Sequence, residues 1–388
     1  MFDDVALTLF YITMLVLFTR WLSFRGNKLL PLSTIFWSLF VCSTAVFSTS
    51  SLLVLYVFYE ASLVPIRYTI LKWGVYPDRG VRALSILIFT RVFTFPLSLL
   101  IISGFLSLGS FSFFRYSFRG PWEDLNLMLS LWILLRFAVK LPIYGLHYWL
   151  PLAHVEAPTF GSMVLAGLLL KIGGCGLLRL IPLYPSFLSS WASVSMIYIV
   201  FAVLISRLMC CVQSDFKRLV AYSSVVHISF ICLLFCTITT LSYKTALMLM
   251  VFHGLRSPVL FCFVGAVYQL FISRQLILTR GLLTISPVCS FISLLIFLSN
   301  VPVPPSPGFL SEVLLFTATF TLSYWVLLLL VISLFISMVY RVVWYSTISF
   351  RTHSNYSNTI TPPSPLLLAT ISSLVFSSFA FVGFIFLF

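Results

Sequence analysis

Long apolar runs alternate with short polar segments along the whole chain. A run of about 18 residues or more is long enough to cross the ~30 Å hydrocarbon core of a bilayer as a helix. The pattern therefore predicts an all-α polytopic membrane protein with about twelve transmembrane helices. The predicted spans are 5–22, 33–49, 51–71, 83–105, 126–149, 160–181, 188–212, 219–241, 244–271, 281–321, 323–346 and 365–388.

Two of the predicted spans are interrupted by proline. The tenth, 281–321, is too long for one straight helix and contains NVPVPPSPG (300–308), whose four prolines cannot sit in a regular helix interior. In the fifth span, Lys140-Leu141-Pro142 predicts a milder break. Both spans are therefore predicted to be discontinuous helices.

Charged residues are rare and are scattered singly between the apolar runs. They make up 8% of the chain, hydrophobic residues make up 61%, and the formal net charge is +14. Because these charges form no patch, they do not indicate a nucleic-acid partner. Loops after odd-numbered spans carry ten Lys and Arg residues and loops after even-numbered spans carry four. The positive-inside rule then places the odd loops on the cytoplasmic or matrix side and both termini on the opposite side.

Signatures of cofactor and metal sites are absent from the sequence. It contains no Rossmann glycine fingerprint, no P-loop and no CxxC pair, and its eight cysteines fall mostly inside apolar runs. We expect buried free thiols, no metal and no cofactor in this chain. A haem between His227 and His253 is discounted because the two predicted spans place them near opposite faces of the membrane.

The N-terminus shows no recognisable targeting signal. MFDDVALTLF is acidic and runs directly into an apolar stretch, unlike a basic secretory signal or an Arg-rich transit peptide. This is consistent with synthesis inside the compartment where the chain inserts.

A few ionisable residues interrupt the apolar runs and are the candidate functional groups. A charge at bilayer depth costs about 2.5–3.5 kcal/mol on insertion scales, so it usually faces a partner or a hydrated cavity. A separable Glu–Lys pair beside a helix break is suited to taking up and releasing a proton. These residues are Glu60, Lys140, Lys171, Glu312, His253 and His227.

Structural roles compete with this interpretation. A Glu–Lys pair can join two helices, and an interior histidine often makes an interhelical hydrogen bond. Tyr144, His147 and Trp149 are expected to belong to an interfacial aromatic belt. GGCG (173–176) predicts close helix packing and not phosphate binding, because no strand–loop–helix context surrounds it.

The stretch KLPIYGLHYWLPLAHVEAPTFGSMVLAGLLLKIGGCG (140–176) resembles the NADH dehydrogenase subunit 4 family, the antiporter-like proton-pumping subunits of respiratory complex I. Further matches follow the family's order and together cover most of residues 50–320. They are FYEASLVPIRYTILKWG (58–74), SDFKRLVAYSSVVHIS (214–229), HGLRSP (253–258) and PPSPGFLSEVLLF (304–316).

The resemblance implies a role for each matching residue. Glu60 would pair with Lys140 on the broken helix, and Lys171 would continue a central hydrated axis to His253. Glu312, after the second break, would exchange protons with the outer side. His227 and Lys217, in the matching stretch 214–229, are additional candidates.

The resemblance also implies the fold and the setting. It implies an antiporter-like fold with two inverted repeats, each with one broken helix, in the inner mitochondrial membrane and encoded by the organelle. Expected partners are subunit 2-like and subunit 5-like paralogues, accessory subunits and membrane lipids. NADH, FMN, iron–sulfur clusters and ubiquinone would be bound by other subunits.

The sequence departs from the family in several places. Members usually have fourteen spans, so residues 1–50 would form a shortened set of N-terminal helices before a core at 51–321 and C-terminal helices at 322–388. Arg256 and Pro258 stand where small hydroxyl residues are more usual.

Other transport classes remain open at this point. A subunit of a multi-subunit cation/proton antiporter shares the fold and the buried charges but would use an ion gradient. A stand-alone carrier for a small organic ion would need a shaped solute site near the midplane. A structural membrane scaffold would gain nothing from the insertion cost of these charges.

Overall fold

The computed structural model describes most of the chain and is helical almost throughout the part it describes. Its described residues include no strand, and their only extended pairings are isolated bridges between Ser51 and Ser112 and between Asp215 and Gln275. The described residues are 4–22, 29–74, 77–113, 138–180, 185–237, 239–301, 303–304, 306–320, 324–350 and 371.

Helices of very different length make up the described part of the chain, and a π turn at Leu165–Leu169 joins two of them. The helices are α1 (Asp4–Leu22), α2 (Leu29–Ser48), α3 (Leu52–Ala61), α4 (Leu63–Trp73), α5 (Arg79–Leu108), α6 (Trp149–Glu156), α7 (Thr159–Val164), α8 (Leu170–Leu180), α9 (Pro185–Val212), α10 (Phe216–Thr237), α11 (Thr240–Phe271), α12 (Leu282–Ile285), α13 (Pro287–Asn300), α14 (Pro307–Phe320) and α15 (Tyr324–Ser349).

The helices agree with the predicted spans and confirm the polytopic all-α fold. Within the described residues, seven helical stretches are long and apolar enough to cross a membrane, and four shorter apolar helices accompany them. Half of the predicted span 126–149 and nearly all of 365–388 lie outside the described residues, so the count of twelve stays a prediction. The seven stretches are Leu52–Trp73, Arg79–Ser103, Thr159–Leu180, Ala192–Val212, Phe216–Thr237, Thr240–Phe271 and Tyr324–Ser349.

Three of these stretches form the centre of the molecule. The most apolar 18 residues of each stretch are almost entirely buried. The buried share is 89% in Thr159–Leu180, 89% in Phe216–Thr237 and 94% in Thr240–Phe271. In the other four the share is 29–44%, because their outer faces are apolar surface suited to lipid contact. Polar groups on the three central stretches are therefore the ones most strongly shielded from both lipid and water.

Glycine lets the central helices approach one another closely. A Cβ at Gly174 would overlap the sulfur of Met250, and one at Gly173 would lie 3.3 Å from Cγ of Leu141. The packing role predicted for GGCG is thereby confirmed. Six of the eight cysteines are buried as expected and all eight are free thiols, but Cys211 is exposed.

We predict that Gly265→Ala destabilises the helix packing, because its Cβ would lie 2.7 Å from Cγ2 of Thr159, and a β-branched neighbour cannot easily move away. The expected cost is about 1–3 kcal/mol. It would be measured as a lower midpoint of thermal aggregation of the chain in mild detergent. Gly80→Ala is the matched control, since nothing lies within 4 Å of its added Cβ. Equal midpoints for the two variants would contradict the prediction.

Candidate functional site

The first helix break lies directly after Lys140. Helical structure at 138–140 ends there, residues 141–148 are non-helical and mostly turns, and α6 begins at Trp149. Pro142 has no N–H to continue the helix, and Gly145 has a φ of 100° that favours glycine. The interruption predicted after Lys140 is thus present, and its being the milder of the two breaks stays a prediction.

A buried indole satisfies a carbonyl group that the first break leaves free. Nε1 of Trp149 donates to the carbonyl oxygen of Val139 at 2.8 Å. Trp149 and His147 are each 1% exposed, so their assignment to an interfacial aromatic belt is wrong. The sequence pattern misled because the break folds these residues inward, where the indole bonds to the backbone.

Lys140 contacts helix α3 beside Glu60. Its Nζ donates to the carbonyl oxygen of Tyr59 at 2.9 Å and lies over the Tyr59 ring. Glu60 is the next residue, and its buried Oε1 has no hydrogen-bond partner. Lys140 therefore lies next to Glu60, because it bonds to the backbone of the residue that precedes Glu60. A direct Glu60–Lys140 ion pair stays a prediction.

Lys171 and His253 form the centre of the site. Nζ of Lys171 lies 2.7 Å from Nδ1 of His253, and both residues are buried. Lys171 follows the π turn and also donates to the carbonyl oxygen of Ala166 within it. A Cβ at Gly254 would lie 3.1 Å from Cε of Lys171, so the glycine after His253 makes room for the lysine side chain.

His227 lies beside His253, with 5.9 Å between the ring centroids. The expectation that the two lie near opposite membrane faces is wrong. Each is close to the midpoint of its helix, so antiparallel neighbours bring them to the same depth. Haem ligation is still disfavoured, because Lys171 bonds His253 and Nη2 of Arg341 lies 3.5 Å from Nε2 of His227. These cations would oppose a metal ion there.

Arginine side chains satisfy the carbonyl group that ends α13 at the second break. The carbonyl oxygen of Asn300 accepts from Nη1 of Arg341 at 2.5 Å and from Nη1 of Arg256 at 3.3 Å. Glu312, on α14 just past the break, is buried, and its Oε2 has no hydrogen-bond partner. Its charge interacts with Arg207 and Arg256.

Cationic side chains converge on the C-terminal end of α6. Nζ of Lys217 donates to the carbonyl oxygen of Ala157 at 2.5 Å, and Arg274 donates to that of Val155 at 3.1 Å. The partial negative charge of a helix C-terminus favours this arrangement. Lys217 therefore lies outside the Lys171–His253 pair and contacts the segment that precedes α7.

Glu156 and Arg82 form an ion pair that sequence reasoning missed. Glu156 is fully buried at the end of α6. Arg82 was counted as loop charge, but it lies in the first turn of α5. Glu156 belongs to the short stretch HVEAP (154–158), which contains polar residues and is not part of a long apolar run. The sequence therefore offers no reason to expect that its carboxylate is buried.

His154 is a second residue that sequence reasoning missed. It is fully buried, its two ring nitrogens have no hydrogen-bond partner, and its ring stacks on Phe261. It interacts electrostatically with both Lys217 and Lys171.

Arg207 and Arg341 were also missed, although the sequence carried the signal. Both lie inside predicted spans, and the insertion-cost criterion that selected Lys171 applies to them equally. Each is buried in the structure. Within the described residues, no group of three or more His, Cys, Asp or Glu side chains is placed to hold a metal ion.

Sequence comparison finds similar proteins over most of the chain. Residues 49–337 match the family described as NADH:quinone oxidoreductase/Mrp antiporter, TM. The NADH-ubiquinone oxidoreductase chain 4 of Artemia franciscana is 39% identical over 331 residues, which cover 84% of this chain and 82% of the relative. The chain 4 of Albinaria caerulea is 37% identical over 321 residues, covering 81% and 72%.

Two solved structures share the fold. A chain of respiratory complex I from Thermus thermophilus with bound NADH superposes with a TM-score of 0.84 at 22% identity. A chain of the Mrp complex from Dietzia sp. superposes with a TM-score of 0.86 at 14% identity. Each match covers 98% of this chain and 80% of the other. At these identities the likeness concerns the fold, and it confirms the antiporter-like architecture.

We predict that Glu156→Gln destabilises the chain far more than Asp78→Asn. Arg82 pairs with both carboxylates, but Glu156 is 0% exposed and Asp78 is 69% exposed. Breaking the buried pair should cost about 3 kcal/mol, and breaking the exposed one at most about 1 kcal/mol. Denaturant unfolding in detergent micelles would measure both. Equal losses would show that the burial of Glu156 does not determine the strength of its pairing.

Proposed function

This chain belongs to the NADH-ubiquinone oxidoreductase chain 4 family, and on that premise we propose that it is a proton-translocating membrane subunit of an NADH:ubiquinone oxidoreductase. The oxidation of NADH and the reduction of ubiquinone would take place in other subunits. This chain would use that free energy to move protons through its buried ionisable residues.

The observation that carries the proposal is the hydrogen bond between Lys171 and His253 at the centre of the bundle. A charged lysine has donors only, so the bonded Nδ1 is then the unprotonated nitrogen of a neutral histidine. A proton can pass along this bond with little movement of heavy atoms. Two basic groups buried together have no evident value for packing alone.

The proposed route joins the groups on either side of this pair. Separation of Glu60 from Lys140 at the first break would favour proton release from Lys140. The proton would pass through Lys171 and His253 toward Glu312 after the second break, with His227 and Lys217 as further candidates. Moving one charge across 100 mV costs about 2.3 kcal/mol, and a shift of two units in a pKa supplies a similar amount.

The same premise extends to location and partners. We propose that residues 1–388 form one integral domain of the inner mitochondrial membrane, encoded by the organelle, with both termini on the intermembrane-space side. Its neighbours would be the subunit 2-like and subunit 5-like paralogues, accessory subunits and lipids. NADH, FMN, iron–sulfur clusters and ubiquinone would be bound by other chains of the complex.

A cation/proton antiporter subunit is the second candidate. The family description names both activities, and the Mrp chain has a comparable TM-score. A native gel of gently solubilised membranes, stained for NADH oxidation, separates the two. Co-migration of this chain with NADH-oxidising activity in a very large assembly is expected, and migration apart from that activity would favour gradient-driven exchange.

We predict that Lys171→Met lowers proton pumping in the assembled complex by about tenfold or more, because proton transfer by a positioned group contributes at least that much. Dye-detected acidification of vesicles during NADH oxidation would measure it, with oxidation of NADH by an artificial acceptor as the internal reference. Lys72→Met makes the same chemical change at an exposed position and should pump normally. Undiminished pumping in assembled Lys171→Met would exclude a role for Lys171 in transfer.

A further inference from the structure

A cavity of about 320 Å³ lies between the C-terminal ends of α9 and α15 and the segment 272–281. Its wall includes Val212 of α9, Val343 of α15 and Arg280 of that segment. The volume is at the lower end of the ~300–1,000 Å³ that small-molecule sites usually have. None of the residues of the proposed proton route lines it, so the cavity is separate from the site described above.

The cavity lies at the depth where lipid headgroups are expected. The predicted spans 188–212 and 323–346 both end at residues that line it. The chain just after α9 carries Lys217 and Arg218, and the segment after α11 carries Arg274 and Arg280. Basic residues that follow a membrane span attract anionic lipid headgroups. The position of the cavity thus favours a ligand that comes from the bilayer itself.

Two side chains bring unsatisfied hydrogen-bond donors to the cavity. Arg280 and Trp344 both line it, and Nε of Arg280 and Nε1 of Trp344 are buried without a hydrogen-bond partner. Among the described residues that line the cavity, none is acidic. The neighbouring carboxylate of Asp215 accepts from the backbone N–H of Lys217. A negatively charged acceptor such as a phosphate group suits these donors, because a guanidinium group binds phosphate oxygens strongly.

Exposed apolar side chains form a stripe on each of the two helices that end at the cavity. They are Phe335, Val339 and Val343 on α15 and Ile205, Leu208 and Val212 on α9. Because they are spaced three or four residues apart, they lie on one side of each helix. Val212, Val339 and Val343 also line the cavity. Both stripes therefore lead from the cavity along the apolar surface of the bundle.

We propose that this cavity binds a phospholipid with a negatively charged headgroup. Its phosphate accepts hydrogen bonds from Arg280 and Trp344, and its acyl chains lie along the stripes on α9 and α15. A free phosphate ion would use the donors but leave the stripes uncovered. A zwitterionic headgroup would bring an ammonium group to a wall that contains Arg280, and like charges repel. This inference does not depend on the proton-translocating function.

Cys211 reports whether the cavity is occupied, because it lines the cavity and its thiol is exposed. The assembled complex is purified in mild detergent, depleted of lipid and mixed with dioleoyl phosphatidylglycerol or dioleoyl phosphatidylcholine, which differ only in the headgroup. The readout is the rate at which N-ethylmaleimide alkylates Cys211, measured by mass spectrometry of the tryptic peptide 208–217. Cys236, near the opposite end of α10 and partly buried, is the internal reference.

Phosphatidylglycerol should slow the alkylation of Cys211 about tenfold when it is supplied at about ten times its dissociation constant. Phosphatidylcholine should slow it far less, and the rate at Cys236 should be the same with either lipid. A Cys211 that does not react in the lipid-depleted complex would overturn the proposal, because something other than lipid would then fill the cavity. This comparison uses the wild-type chain and needs no variant to assemble.

Three variants test the contribution of Arg280. Arg280→Gln should weaken binding of phosphatidylglycerol about tenfold or more, because a hydrogen bond to a charged group is lost. Arg280→Lys keeps the charge and should retain most of the protection of Cys211. Arg218→Gln is the matched control, since it makes the same chemical change at an exposed position that does not line the cavity, and it should bind the lipid normally.

Three results would contradict the proposal. Equal protection of Cys211 by the two lipids would show that the cavity does not recognise headgroup charge. Equal protection by inorganic phosphate without lipid would make it a site for a free ion. Full protection by phosphatidylglycerol in Arg280→Gln would show that Arg280 does not hold the headgroup.

Discussion

Inside a bilayer, every backbone group that a helix break frees must find its partner within the protein or in water that the protein encloses. The carbonyl groups freed at the two broken helices therefore determine which side chains lie next to the breaks. At the first break the indole of Trp149 bonds to the carbonyl of Val139, and at the second Arg341 and Arg256 bond to that of Asn300. An unsatisfied carbonyl at either place would cost about 1–3 kcal/mol.

The two breaks use donors of different charge, which makes the site electrically asymmetric. At the first break a neutral indole satisfies the backbone, and Lys140 supplies the cation beside it. At the second, the donors are themselves cations, and the acidic residue Glu312 is buried on the helix that follows the break. The proposed proton route would thus end at a buried carboxylate with arginine side chains nearby.

Residue chemistry identified most of the candidate site but not its contacts. The high cost of a buried charge marked Lys171 and Glu312, and the same rule would have found Arg207 and Arg341 had it been applied to arginine. It could not show that Lys140 contacts Tyr59, because that contact joins residues 81 positions apart. Hydropathy likewise assigned Trp149 to the surface, since it carries no information about the inward turn after Lys140.

The sequence by itself determined the all-α fold, the approximate spans and the positions of both breaks, because apolar length and proline are local properties of the chain. Tertiary structure decided which polar groups meet. His227 and His253 come together because two antiparallel helices cross at their midpoints, and Arg256 fits because Gly308, from a distant segment, leaves the space for it. Such pairings depend on how helices pack, and hydropathy along one chain does not encode that.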